Sequence, residues 1–290
     1  MKYRLLYILI RFLSLLPMRI LYILSDIMFF SVFYVIHYRK KVVYQNLKNA
    51  FPEKKQDEID RIAKRFFKHL CDFIVEVLKL NSLSIENLEK RISYPDNSLL
   101  TDLYNKGKGV VMVLGHYGNW EYGTGFAHYT KHIGAVIYMP LQNKFMDELI
   151  KKQRAQYGYH PIAMSGIYKW AFQNYKDGKP QMIFFLGDQR PSENAEYWTT
   201  FLNQETGVYL GAEKLARKLD LAVVYGEINK VKRGKYEANL TLITDKPKET
   251  SEYEITEAHV KLLEDTIKRN PEYWLWSHKR WKHKRNPNLG

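Results

Sequence analysis

Apolar positions follow two regimes along this chain. From residue 1 to 38 they are nearly continuous, interrupted by charge only at Lys2, Arg4, Arg11, Arg19 and Asp26. Pro17 divides the run, because a proline inside a helix removes a hydrogen bond and clashes with the preceding turn. Two apolar helices are therefore predicted, over 3–16 and 18–37. The second approaches the roughly 20 residues that cross a hydrocarbon core. Asp26 near its middle leaves two other readings open, a helix lying in the membrane interface and a helix packed on the domain. No small-residue cleavage site follows, which speaks against a removed signal peptide. The expected division is an N-terminal membrane anchor at 1–38 and a catalytic domain at 39–290.

Beyond residue 38 the period shortens to that of an amphipathic helix. Ile59, Ile62, Phe66, Phe67, Leu70, Ile74, Val77 and Leu78 recur at spacings of three and four, and 39–91 reads as helical with a turn at Phe51-Pro52-Glu53. At Val110 the pattern changes to short continuous apolar runs. The first, Val110 to Leu114, is preceded by Gly107 and Gly109 and suits a buried strand. Similar runs lie at 134–138, 182–186 and 221–225, and 235–243 alternates. Helix-length segments at 143–156, 166–177, 209–219 and 255–269 separate or follow them. Strands alternating with helices predict a single α/β domain with a central, mostly parallel or mixed sheet flanked by helices.

The formal charge of +14 adds an anionic partner to this picture: nucleic acid, an acidic membrane surface, or an acidic protein or phosphorylated substrate. Arg39, Lys40 and Lys41 follow the apolar run directly, with Lys48, Lys54 and Lys55 close behind. Positive flanks of this kind stay cytoplasmic and attract anionic headgroups. Cys71 is the only cysteine, so an intrachain disulfide is excluded; in its apolar helical stretch it reads as a small buried residue.

Candidate chemistry gathers where two predicted strands end. After the first comes Gly115-His116-Tyr117-Gly118-Asn119-Trp120-Glu121. A His and a carboxylate at a strand's C-terminal end occupy the usual position of an α/β site. With Glu121 in the first turns of a following helix, its carboxylate is expected to approach the imidazole, fix the tautomer and leave the other nitrogen as a base. Backbone N–H groups near Gly115 or Gly118, or a basic side chain, are candidate oxyanion donors. The spacing does not fit the zinc-protease helix, which needs His-Glu-x-x-His, and no metal site is expected. A structural His at a strand end is the plainer alternative. The second cluster is Gly187-Asp188-Gln189-Arg190, which can bind a polar headgroup, steady the site, or form an ordinary strand-to-loop turn. Downstream, Thr206 and Gly207 are expected to start a helix that receives phosphate or carboxylate. The segment from Pro271 to Arg285 is aromatic and basic, suiting a membrane interface or nucleic acid.

Together these segments resemble the late acyltransferases of lipid A biosynthesis, the lauroyl and myristoyl transferase family, within the lysophospholipid acyltransferase group. The likeness rests on the apolar N-terminal helices ending in Tyr38-Arg39-Lys40-Lys41-Val42-Val43 and on Asn46-Leu47 through Phe51-Pro52-Glu53. It continues through Gly115-His116 with Glu121 and Gly187-Asp188-Gln189 to Trp276, His278, Arg280 and Trp281. The resemblance implies transfer of a fatty acyl chain to a hydroxyl of a lipid A precursor or related membrane lipid, with His116 as general base and Glu121 its partner. Gly115, Gly118, Asn119, Asp188, Gln189, Arg190 and Thr206 would bind substrate or support the site. It further implies an acyl carrier protein or CoA thioester as donor, no other cofactor, and a place on the cytoplasmic face of the bacterial inner membrane. An acidic carrier protein and an anionic membrane suit the positive charge, and no nucleic acid is expected. The glycerol-phosphate branch of the group often has Asn before the His and a later Phe-Pro-Glu-Gly-x-Arg; here Gly115 precedes His116 and the later motif is absent. The rival readings are a membrane-tethered nucleic-acid-binding protein, a hydrolase using the same His, and a catalytically silent lipid-binding protein.

Overall fold

The computed structural model describes residues 2–285 apart from Asn97, Ser192 and Asn194. Residues 286–290, which the sequence reading includes in the catalytic domain, lie outside the described part. Helices α1 (Lys2–Leu15) and α2 (Met18–Phe30) are separated at Pro17, and α2 continues into a π-helical turn at Ser31–Val35. His37 and Arg39 then adopt φ of 54° and 48°, turning the chain into α3 (Lys40–Ala50). In α4 (Gln56–Leu80) the three-and-four spacing buries Ile59, Ala63, Phe66 and Phe67 along one face. Next come α5 (Ile85–Glu89), a short β1 (Ile92–Ser93) and α6 (Ser98–Asn105).

The α/β core then alternates as expected. It runs β2 (Val110–Leu114), a 3₁₀ stretch at Trp120–His128, β3 (Ile133–Tyr138), α7 (Lys144–Ala155), β4 (His160–Ala163), α8 (Ile167–Lys176) and β5 (Gln181–Leu186). After a hairpin of β6 (Tyr197–Phe201) and β7 (Gln204–Val208) come α9 (Gly211–Leu219), β8 (Ala222–Lys232), β9 (Lys235–Thr244) and α10 (Glu254–Arg269). Seven strands form one sheet in the order β1-β9-β8-β2-β5-β3-β4, parallel throughout except for the β8/β9 pair. The central strands are apolar on both faces because both are covered. Val111, Val113 and Ile183 face a layer containing residues of α3, α4, α9 and α10, whereas Val110, Met112, Met182 and Phe184 face Leu88, Leu100, Tyr122 and Phe126.

One expectation is corrected here. Thr206 and Gly207 do not begin a helix; both lie in β7, paired with Thr199 and Trp198 of β6. The turn between these strands is made by Leu202 and Asn203 at φ of 51° and 59°, the two-residue geometry that matches strand twist. Tyr197-Trp198-Thr199-Thr200-Phe201 supplies the aromatic and β-branched residues that favour a strand there. The helix that follows starts only at Gly211.

Candidate active site

The site is a consequence of strand register. β2 and β5 are parallel neighbours, with Leu114 opposite Leu186. Two residues past that pair each strand delivers a polar side chain, His116 from one and Asp188 from the other. Asp188 Oδ1 lies 2.5 Å from His116 Nδ1, and Asp188 Oδ2 accepts both the His116 backbone N–H (2.8 Å) and the Trp274 indole N–H (2.8 Å). The Asp188 side chain is 3% exposed and that of His116 14%. Burial alone would raise the Asp188 pKa; the charge and hydrogen bonds of His116, with the bond from Trp274, outweigh it and hold the carboxyl at about 2. The ionised carboxylate therefore keeps the proton on Nδ1 and leaves the Nε2 lone pair free to act as a base. In the resting arrangement that lone pair receives the Gln189 side-chain amide at 3.0 Å. Trp120 meets the imidazole edge-on at 5.0 Å between centroids and is itself packed on Phe73 at 4.0 Å, which restricts the ring's rotation.

The loop after β2 is pinned from three sides. Leu275 N–H donates to His116 O, Gly118 N–H donates to Tyr273 O, and the buried His69 donates from Nε2 to Gly118 O at 3.0 Å. Burial, then the nearby Lys230, lowers the His69 pKa to about 3, so it holds this loop as a neutral imidazole. Gly118 has φ +60°, and a Cβ there would stand 1.9 Å from Ile228 O, so no other residue fits without moving β8. Its N–H is committed to Tyr273 and does not supply the expected oxyanion contact. At Gly115 a Cβ would meet Leu263 of α10 at 2.4 Å, so its role is close packing beneath the site.

Glu121, expected to orient the imidazole, does something else. Its carboxylate takes a two-pronged ion pair from Arg154 of α7, at 2.6 Å from Nη2 and 3.2 Å from Nε. The 3₁₀ winding of Trp120–His128 aims the side chain at α7, while the parallel register brings Asp188 to the His. The pair is mostly buried, at 14% and 18% exposure. Glu121→Ala strands the Arg154 charge and is expected to lower stability by about 3 kcal/mol, the low end for breaking a buried ion pair. The denaturation midpoint reads this loss, and Glu121→Ala with Arg154→Leu should recover most of it. The pH dependence of the reaction should not move; a changed profile would restore Glu121 as the imidazole's partner.

A cavity of about 430 Å³ opens beside His116 at the C-terminal edge of the sheet. Ile137, Tyr138, Ile150, Ile167, Phe185 and Leu186 give it apolar walls, with Met139, Leu141, Met164 and Tyr209 towards its mouth. Its polar groups are His116, Gln189, Arg154 and Asp147. An apolar pocket with His116 in its wall suits a chain-like substrate whose reactive end meets the imidazole.

The remaining predicted residues serve the frame. Asn119 is fully buried and donates to Glu76 at 2.8 Å. Arg190 contributes its backbone, donating N–H to His278 Nε2 and accepting from Tyr209. Burial, the first of several influences, lowers the His278 pKa to about 4, leaving its ring neutral to accept that bond. Thr206 accepts from Trp281 Nε1 at 2.6 Å and is buried within β7. Sequence reasoning missed three parts: Trp274, read only as an interfacial or core aromatic; His69, hidden within an apolar helical stretch; and Arg154, whose partner is 33 residues away. No local signal marks any of them.

No curated protein matches the chain. Residues 2–283 match the family described as bacterial lipid A biosynthesis acyltransferase, a match that spans the apolar N-terminal helices, both strand-end clusters and the C-terminal aromatic segment alike. The chain belongs to that family of acyltransferases.

Proposed function

We propose that the protein moves a fatty acyl chain from an acyl-carrier-protein or CoA thioester onto a hydroxyl of a lipid A precursor or related lipid. His116 is the general base and Asp188 its orienting partner. The observation that carries this reading is the Asp188-held imidazole facing an apolar cavity. The acceptor hydroxyl displaces the Gln189 amide from Nε2 and gives its proton to that nitrogen as its oxygen attacks the thioester carbonyl carbon. The tetrahedral oxyanion then collapses, the C–S bond breaks, and the departing thiolate recovers the proton from the imidazolium. Asp188 stays ionised and offsets the positive charge on the ring while the proton resides there. The reaction needs no further cofactor in this scheme. The positive surface supports an acidic carrier protein as donor and an anionic membrane as workplace, on the cytoplasmic face of the inner membrane.

The test is direct. Purified protein with labelled acyl-carrier-protein and CoA thioesters, in the presence of extracted bacterial lipids, should yield a lipid heavier by one acyl group. Acylated lipid and released thiol should appear in equal amounts. Thiol released without acylated lipid would instead make the protein a thioesterase.

A further inference from the structure

The apolar N-terminal segment is long enough to cross a bilayer, since Met18–Val35 forms a continuous helical stretch of 18 residues. Its polar contacts argue against that geometry. Along one side of α2, at the i, i+3, i+4 spacing of a single helix face, Tyr22, Ser25 and Asp26 are all bonded to the catalytic domain. Tyr22 donates to Glu76 at 2.8 Å and Ser25 to Asp72 at 2.8 Å, while Arg233 of the β8–β9 turn clamps Asp26 at 2.7 and 3.0 Å. Arg233 also reaches the buried Asp72 at 2.6 Å, and Lys230 completes the cluster at 3.1 Å. The α1 end is tied down as well. Lys79 caps the carbonyls of Ser14 and Leu16, Ser82 donates to Ser14 O, and Arg11 donates to Asn81 O.

A helix that crossed the membrane with these bonds intact would carry α4 and the Asp72, Lys230 and Arg233 cluster into hydrocarbon. One that peeled away to cross alone would take the Asp26 carboxylate with it and leave Arg233 only Asp72 of its three partners. Neither cost arises if the helices stay on the domain. Their other side is apolar and open: Phe12, Leu15, Ile23, Ile27 and Phe30 are each about 60% exposed. Two cations lie at the far end of this segment. Lys40 lies 4.0 Å from the Phe33 ring centroid and Lys64 5.9 Å from that of Tyr34, placing ammonium groups where lipid phosphates would lie above a buried apolar strip. The apolar face also leads to the cavity. Tyr7 of α1 meets Phe145 edge-on at 6.3 Å, and Phe145 opens α7, the helix that lines the cavity with Ile150 and Arg154. Met139 and Leu141, at the cavity mouth, are exposed.

We infer that α1 and α2 form a monotopic anchor that lies in one leaflet of an anionic phospholipid bilayer, its apolar face continuous with the cavity mouth. The inference rests on the membrane-associated reading above and adds its geometry: α1, α2 and the catalytic domain occupy the same side of the bilayer. In this arrangement an acyl-bearing lipid can reach His116 laterally from the leaflet without leaving it.

Because Cys71 is the only cysteine and is buried, single introduced cysteines report topology cleanly. Arg19→Cys, at the exposed corner between α1 and α2, and Lys282→Cys, on the catalytic domain, would each be expressed full-length in a bacterial host. Sealed membrane vesicles would then be treated with a membrane-impermeant maleimide. A monotopic anchor labels both cysteines to the same extent in the same preparation. Labelling of Arg19→Cys only after detergent, with Lys282→Cys labelled beforehand, would overturn it in favour of a spanning helix. Flotation of the wild type with phosphatidylglycerol vesicles separates the two levels: a protein that stays in the soluble fraction sinks the membrane reading itself, and this inference with it.

Discussion

Asp188→Asn is expected to slow acyl transfer by about 10³–10⁴-fold while leaving the protein folded. The geometry says why so small a change should matter so much. Both fixed donors, the His116 backbone N–H and the Trp274 indole, converge on Asp188 Oδ2. In the variant that position is best filled by the amide oxygen, which can accept both bonds and so preserves the local structure. The amide nitrogen is then forced to face Nδ1. It donates where the carboxylate accepted, so the imidazole must carry its proton on Nε2 and has no lone pair to offer an acceptor hydroxyl. Single-turnover transfer with saturating thioester isolates the effect on chemistry from any effect on binding. A near-wild-type rate would remove Asp188 from the mechanism.

His116→Ala removes the base itself and is expected to cost about 10⁴-fold or more, at or beyond the upper end of what a positioned acid–base group supplies. It also leaves the ionised Asp188 without the ring that balances it, so thermal unfolding should be measured beside activity. Imidazole added to the assay can occupy the vacated space, accept the Asp188 contact and restore part of the rate. Rescue by imidazole, absent in the Asp188→Asn protein, would separate loss of the base from loss of the fold. A His116→Ala enzyme that transfers at the wild-type rate would end the proposed mechanism.

How much of this was legible in sequence depends on how local the cause is. The buried strands were readable because a strand covered on both faces must be apolar throughout, and Val110 to Leu114 and Met182 to Leu186 are. The two clusters after them were readable because they follow the strands directly. Their partnership was not. That His116 meets Asp188 and not Glu121 depends on β5 lying beside β2, a fact of strand order that no short window contains. Glu121 had the better sequence argument, since it is five residues away, yet the 3₁₀ winding turns it to Arg154. The β6–β7 hairpin was obscured by its turn, where Leu202 stands in a left-handed conformation usually left to Gly or Asn. Asp26 left a helix packed on the domain among the open readings, but its partner Arg233 is 207 residues distant and could not be named.

The indole of Trp274 has a consequence for the order in which this protein becomes itself. The segment that carries it is stitched to the other end of the chain: Asn46 donates to Trp276 O and His278 O, and Arg39 to Ser277 O. These closures span more than 200 residues, and such contacts form late, because the intervening chain must first be organised. The helices α1 and α2 emerge during synthesis well before the donor that completes the grip on Asp188. A growing chain can therefore reach a lipid surface long before it possesses an oriented base. The Trp274 contact to Asp188 is in place only once the 274–278 segment has come back to Arg39 and Asn46.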